Sequence, residues 1–267
     1  MSLKGKHALV TGGSRGIGRG IVLKLAEAGA RVAIHYHVNE AAAKETLDRV
    51  RKHGADGILV QADVTKMDDV RRMFADVRQA FGTLDVFVAN ARPEAGTFYQ
   101  KPMEITLEAW DHAMDSQGKA FLVAVREAVG LMSAGGRIVA ITYAPGGQKG
   151  TWQPWVAMGS AKAALESLVR YFAVTLAPRG ITVNSVSPGL TDDSVLQSFG
   201  PEAVETARVW HTSGWTPMGR LGTPADIGNV VGLLCAPEAG WLTGQLIHAD
   251  GGASLVDTLL PLEIQRG

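Results

Sequence analysis

The sequence predicts a doubly wound α/β fold: one domain, residues 1–267, with a parallel sheet of about seven strands and helices on both faces. Three observations carry this. Apolar runs of strand length alternate with longer segments of helical period. The strand runs are nearly continuous in Val, Ile and Leu, which suits a sheet covered on both faces by right-handed helical crossovers. A glycine-rich turn stands at the first strand–helix junction, and no linker, repeat or low-complexity segment divides the chain.

In chain order, the first strand is HALVT (7–11), and TGGSRGIGRG (11–20) follows it into the amphipathic segment GRGIVLKLAEAG. Further strands are expected at RVAIHY (31–36), GILVQA (57–62), DVFVAN (85–90), RIVAIT (137–142), ITVNSVS (181–187) and QLIHAD (245–250). The stretch from Pro188 to about Pro224 breaks the rhythm with glycines and two tryptophans. In an open parallel sheet the ligand sits beyond the strand C-termini, so this segment, at about 190–218, is the expected substrate lid.

Hydrophobic residues make up 46% and charged residues 19% of the 267, and Lys plus Arg equals Asp plus Glu at 26 each. A net charge of zero argues against nucleic acid or an anionic membrane as the main partner. No apolar run is long enough to span a bilayer and the N-terminus shows no signal-peptide pattern, so a cytoplasmic location is expected. The single cysteine, Cys235, excludes an internal disulfide and reads as a small buried hydrophobe. The histidines and this cysteine show no metal-ligand spacing, and no metal is expected.

The glycine turn is the first candidate site. Gly12, Gly16 and Gly18 allow a tight turn and let backbone N–H groups at a helix N-terminus approach a pyrophosphate, with Ser14, Arg15 and Ile17 between them. The second strand ends IHYHVNE, presenting His35, Tyr36 and His37 and no carboxylate before Glu40. A carboxylate there would hold the ribose 2′-OH of NAD(H), whereas Arg15 and His37 suit a 2′-phosphate. NADPH is therefore the expected cofactor, with NADH the less favoured alternative.

Together with ADV at 62–64, Asn90 at a strand end, Lys162 on a helix, VNSVSPG at 183–189 and HADGG at 248–252, this turn resembles the short-chain dehydrogenase/reductase family over nearly the whole chain. The resemblance implies a single-domain Rossmann-type fold, a homo-oligomer (dimer or tetramer), and hydride transfer with a nicotinamide cofactor. It places Asp63 and Val64 beside the adenine, Asn90 near the ribose, Lys162 on the nicotinamide ribose, and Pro188, Gly189 and Thr191 against the nicotinamide. The family's usual catalytic set is Asn, Ser, Tyr and Lys. Here Gln117, Tyr143 and Met158 stand at the first three positions, and N-N-A-G reads ANAR at 89–92.

The enoyl-acyl-carrier-protein reductase branch of the same superfamily is similar in another way. Its tyrosine precedes the lysine by seven residues, its helix often reads M-G-x-A-K, and it often has a tyrosine after the fifth strand. This chain has Met158-Gly159-Ser160-Ala161-Lys162 and Tyr143, with Trp155 seven residues before the lysine. Pro154 suits a helix start, which places Trp155 in the first turn, on the face shared with Lys162. An indole N–H donates a hydrogen bond but keeps its proton. Enolate formation needs such a donor, whereas reducing a ketone needs a true acid. Of the four tyrosines, Tyr36 lies on the adenosine side, Tyr171 faces away from Lys162, and Tyr99 lies in a loop with nothing in the sequence to fix it. Tyr143 is left at the C-terminal end of the fifth strand.

Tyr143, Lys162 and Trp155 are thus the candidate catalytic residues. Trp152, Trp210 and Trp215 are candidate pocket walls. The expected activity is NADPH-dependent reduction of the C=C bond of an enoyl thioester on CoA or acyl carrier protein, as in fatty acid biosynthesis. The alternatives are a carbonyl (3-oxoacyl) reductase with Tyr143 as acid, and an NADPH-binding protein of little or no turnover.

Overall fold

All seven expected strands form, and they pair in parallel as one sheet in the order β3-β2-β1-β4-β5-β6-β7. The computed structural model describes residues 2–257, 259 and 261–266; Met1, Thr258, Leu260 and Gly267 lie outside the described residues, so the domain's two outermost positions are not tested. The strands are β1 (His7–Val10), β2 (Arg31–Tyr36), β3 (Gly57–Gln61), β4 (Val86–Ala89), β5 (Arg137–Ile141), β6 (Thr182–Pro188) and β7 (Leu246–Ala249). Several ends differ by one residue from the apolar runs, because pairing stops where the chain peels away into the loops above the sheet.

The helices are α1 (Gly16–Glu27), α2 (Glu40–Lys52), α3 (Met67–Phe81), α4 (Leu107–Met114), α5 (Ala120–Leu131), α6 (Pro145–Gln148), α7 (Val156–Leu176), α8 (Ser194–Gln197), α9 (Pro201–Trp210), α10 (Pro224–Cys235) and α11 (Leu262–Arg266). Their starts follow capping chemistry. Asn39 and Thr106 side chains accept from the amides of Ala42 and Ala109, and Thr223 and Asp226 form a reciprocal capping box. A π-helical turn, Asp115–Lys119, joins α4 to α5. Helix α7 begins at Val156, later than Pro154 suggests: Trp155 is its N-cap, outside the first turn.

Strand residues alternate between two cores. Leu9, Ile138 and Ala140 face α3, α5 and α7, whereas Ala8, Val10, Val139 and Ile141 face α1, α2 and α10. Cys235 lies in the second core, where burial pushes its thiol up to about 12, so it packs as a hydrophobe. Helices α1 and α10 approach closely through two glycines. A Cβ on Gly20 would lie 2.1 Å from the Pro224 carbonyl oxygen, and one on Gly228 would lie 2.5 Å from that of Gly20.

The strand order reverses between β1 and β4, and the crevice above their C-terminal ends is where this architecture binds ligands. His35, buried at the end of β2, ties this region together. Its Nδ1 accepts from the Gly12 amide at 2.9 Å, so its Nε2 carries the proton and donates to the Ala62 carbonyl at 3.0 Å. Burial holds the imidazole down to about 4.

Two predictions follow from these contacts. Gly20→Ala forces two backbones apart and is expected to cost about 1–3 kcal/mol in urea denaturation. Gly130→Ala, on the exposed side of α5 with nothing within 4 Å of the added methyl, should instead gain about 0.5–1 kcal/mol. His35 is neutral when folded, and in the unfolded chain it takes up a proton below its ordinary value of 6.5. Its contribution is therefore whole above about pH 6.5 and is lost as pH falls toward 4, by up to about 3 kcal/mol. His35→Asn should flatten that part of a stability-versus-pH curve, and an unchanged slope would show that His35 does not supply it.

Candidate active site

The glycine turn forms because β1 must leave the sheet abruptly. Gly12 and Gly16 adopt φ of 65° and 55°, where a side chain is strained. A Cβ on Gly18 would sit 2.0 Å from the Gly12 carbonyl oxygen, so only glycine allows α1 to start this close to the turn. Thr11 Oγ1 accepts from the amides of Asn90 and Ala91, and Asn90 Nδ2 donates to the carbonyls of Thr11 and Gly12 at 3.0 and 3.2 Å. The Ser14 carbonyl accepts from Thr46 Oγ1 and Arg19 Nη2. Ile17 packs against the second core. The first turn of α1 has no side-chain cap, which leaves amides for an anion. These residues fit a dinucleotide: the backbone is held from behind by side chains, and side chains are absent where a pyrophosphate would lie.

On the adenosine side, His37 is exposed and its Nε2 lies 3.9 Å from Asp63 Oδ2. Asp63 Oδ1 accepts from the amide and hydroxyl of Thr65. Val64 borders a small internal cavity that Ser116 and Gln117 also line. Arg15 pairs with Glu94 at 3.2 Å.

On the nicotinamide side, α7 carries Lys162 under the end of β5. The lysine is buried, and its Nζ donates to the Ile141 carbonyl at 2.6 Å. Burial, reinforced by repulsion from Arg92 and opposed by Glu166, brings it down to about 7. Tyr143 follows β5 and is largely buried; burial, with the Glu166 carboxylate nearby, pushes its phenol up to about 12. Its ring needs glycine at position 147, where a Cβ would meet its Cδ2 at 2.5 Å. The Tyr143 carbonyl accepts from Ser187 Oγ at 2.7 Å, and its hydroxyl makes no hydrogen bond among the described residues. Glu166 accepts from Thr142 Oγ1 at 2.5 Å.

Met158 is fully buried with Phe98, Ala113, Trp155, Ala157 and Ala161. Trp155 stacks edge-on to Phe98 and tilts against Trp152, with centroids 5.2 and 4.5 Å away. Its Nε1 is buried and has no hydrogen-bond partner among the described residues. Gln100 donates to the Pro154 carbonyl at 3.1 Å, clamping the loop after β4 onto the start of α7. Tyr99 is therefore fixed, contrary to expectation: its hydroxyl accepts from Trp152 Nε1 at 3.2 Å and its ring meets Phe199. Trp210 and Trp215 stack on each other, at 4.9 Å, beside an open groove lined by Leu190, Phe199 and His211.

Above β6, Pro188 ends the strand, and the Gly189 amide donates to the Ala249 carbonyl. Thr191 Oγ1 donates to the Gly189 carbonyl at 3.0 Å. The second of the two aspartates that follow reaches the glycine turn: Asp193 Oδ2 lies 2.9 Å from where a Gly16 Cβ would be. Sequence reasoning missed His35 and Arg92. The signal for His35 was a polar residue amid an apolar strand run, and for Arg92 a charged residue in the family's glycine position. Burial hides Arg92 in part and lowers its guanidinium below the ordinary value, with Asp193 opposing. Gln117 is buried and donates to the Ala91 carbonyl at 3.3 Å, from within a π-helical turn of the kind often found at functional sites.

Comparison with known proteins agrees with this geometry. The family described as Enoyl-(Acyl carrier protein) reductase matches residues 12–254. A hydroxynaphthalene reductase-like protein of Metarhizium majus is 34% identical over 94% of this chain and 96% of its own. A 1-cyclohexenylcarbonyl-CoA reductase of Streptomyces collinus is 35% identical over 93% and 87%. The crystal structure of an angucycline C-6 ketoreductase with bound NADP is 36% identical over 96% of this chain and 98% of its own, with a TM-score of 0.86. The chain belongs to the short-chain dehydrogenase/reductase family of NAD(P)-dependent oxidoreductases.

Proposed function

We propose that the protein is an NADPH-dependent carbonyl reductase acting on a ketone within a planar ring compound. The observation that carries this reading is the Tyr143 hydroxyl. It stands beside Glu166 and the lysine helix with no partner of its own, where ketone reduction needs an acid. Tyr99, Trp152, Phe199 and Trp210 supply flat apolar walls. The relatives named as hydroxynaphthalene and angucycline reductases support a ring ketone over the thioester alkene that the sequence first suggests. NADPH is favoured by the missing carboxylate at the end of β2 and by the NADP in the related ketoreductase.

Bound NADPH supplies the hydride to the carbonyl carbon. The chain's residues manage the charge that then appears on oxygen. Tyr143 gives that oxygen its proton; even at about 12, a phenol is a stronger acid than the alcohol being formed. Lys162 holds the nicotinamide ribose and adds positive potential when charged. Asn90, Thr11 and His35 keep the turn in place under the pyrophosphate. Segment 190–218 serves as the lid, with Asp193 on the turn and Phe199 against Tyr99 as its contacts. Exposed Tyr171 and Val174 on α7, and Trp241 and Leu246 near the edge strand β7, suit a homo-oligomeric dimer or tetramer.

A second reading keeps the enoyl thioester. The buried, unpartnered Trp155 N–H is a donor suited to an enolate oxygen, and the cyclohexenylcarbonyl-CoA reductase is a relative. NADPH oxidation measured with 2-tetralone and with crotonyl-CoA separates the two. Tetralone turnover should fall about 100-fold or more in Tyr143→Phe, while NADPH affinity stays the same. Turnover of crotonyl-CoA alone, little changed in Tyr143→Phe but lost in Trp155→Phe, would replace this reading with the second. Tight NADPH binding with neither substrate consumed would favour a binding protein.

A further inference from the structure

The lid carries two adjacent aspartates between Thr191 and α8, and the structure treats them differently. Asp192 accepts from Gln197 Nε2 at 2.6 Å and pairs with Arg208 at 3.4 Å. Asp193 has no ion pair among the described residues. Its Oδ1 caps α8, accepting from the amides of Val195 and Leu196 at 2.8 and 3.3 Å. Its Oδ2 accepts no hydrogen bond among the described residues, and it is the oxygen that reaches the glycine turn. It lies 2.9 Å from where a Gly16 Cβ would be, nearer than Asp193 Cγ at 3.6 Å, with Ser194 Oγ at 3.2 Å from the same point.

The lid is fastened on either side of this contact. The Asp192 amide donates to the Gly222 carbonyl at 2.9 Å, and the Gly222 amide donates to the Leu190 carbonyl at 3.0 Å. Leu196 of α8 is buried with Val204 and Leu221. A short side chain that caps an anchored helix has little freedom, so the carboxylate is set in place over the turn. Gly16 opens α1, whose uncapped first-turn amides are the donors for a pyrophosphate. The cation of the turn, Arg15, forms its ion pair with Glu94 and not with Asp193. An anionic oxygen beside those amides therefore opposes any phosphate they hold, since like charges a few ångströms apart near a protein surface repel strongly.

We propose that Asp193 sets the affinity for the cofactor: its carboxylate repels the pyrophosphate of NADP(H), so the cofactor binds less tightly and leaves faster than the turn alone would allow. This rests on the reading of the glycine turn as the pyrophosphate site. Spent NADP+ has to leave after each turnover, and release with lid opening is a common slow step. A lid that carries its own negative charge to the phosphates favours that opening.

Asp193→Asn tests this, because it removes the charge while keeping the size of the side chain and the cap on α8. In a fluorescence titration, NADPH should bind Asp193→Asn about fivefold tighter or more than wild type. Stopped-flow displacement should show NADP+ leaving wild type faster than the variant by a similar factor. Adenosine 2′-monophosphate has no pyrophosphate and should bind the two proteins within about twofold of each other. Equal or weaker NADPH binding by Asp193→Asn overturns the proposal. So does an equal gain for adenosine 2′-monophosphate, which would show a charge effect not directed at the pyrophosphate. Asp193→Ser also caps α8 without a charge, and it decides in the same way if Asp193→Asn does not fold. Failure of NADPH to bind wild type and both variants would remove the cofactor reading and this proposal with it. NADPH binding without tetralone turnover would count against the proposed reaction alone.

Discussion

The site depends on the way β1 leaves the sheet. A strand that turns abruptly frees backbone N–H and C=O groups that buried surroundings oblige the protein to satisfy. Here three side chains do so: His35 accepts from the Gly12 amide, Asn90 donates to the Thr11 and Gly12 carbonyls, and Thr11 accepts from the residues after β4. They come from β2 and from the residues just past the ends of β4 and β1, so the turn is locked at the crossing where the strand order reverses. With the backbone satisfied from below, the glycines leave its upper side clear for phosphate. His35 can perform this task only when neutral, which its burial enforces.

The departures at the usual catalytic positions make physical sense as a set. A methionine at 158 asks for apolar surroundings, and Phe98, Ala113 and Trp155 provide them. That packing draws the loop after β4 onto α7, and the backbone contact from Gln100 to Pro154 secures it. A tyrosine at 143 is larger than the serine it replaces, and its ring occupies room left by the glycine at 147. Gln117, longer than asparagine, reaches across a π-helical turn to the Ala91 carbonyl. Each change is accommodated by a neighbour, as in a site repacked for its own chemistry.

The fold was almost entirely legible because its signals are local and periodic. Seven apolar runs, the glycine turn and the helix between each pair of strands suffice for order and direction, since parallel crossovers have one preferred hand. The catalytic end was legible only in part. Lys162 and Tyr143 could be placed by spacing from α7 and β5, and in the structure both side chains belong to the end of β5, Lys162 through its bond to the Ile141 carbonyl. Trp155 was placed one step too far into its helix, because Pro154 precedes the cap rather than forming the first turn. Tyr99 and Arg92 were out of reach for another reason. Their positions are set by partners distant in sequence, Trp152 and Phe199 for one, Gln117 and Thr11 through Ala91 for the other.

Charge distinguishes this site from a scaffold whose chemistry has simply been lost. A protein with no further use for Lys162 has no reason to keep a lysine buried at 3% exposure, near neutrality at about 7, beside an arginine that lowers it further. Burying one cation without a carboxylate in contact is costly, and placing a second cation in range adds repulsion to desolvation. Glu166 offsets some of this, but it is also bonded to Thr142. On the proposed function, the remaining positive imbalance lies near the oxygen that hydride transfer makes negative. A preorganised positive potential of that kind stabilises the charge that develops during reduction more than it stabilises a neutral ketone. Under the proposed reaction the arrangement is strain held for catalysis, with Tyr143 at the end of β5 as the proton donor in place of a helix tyrosine.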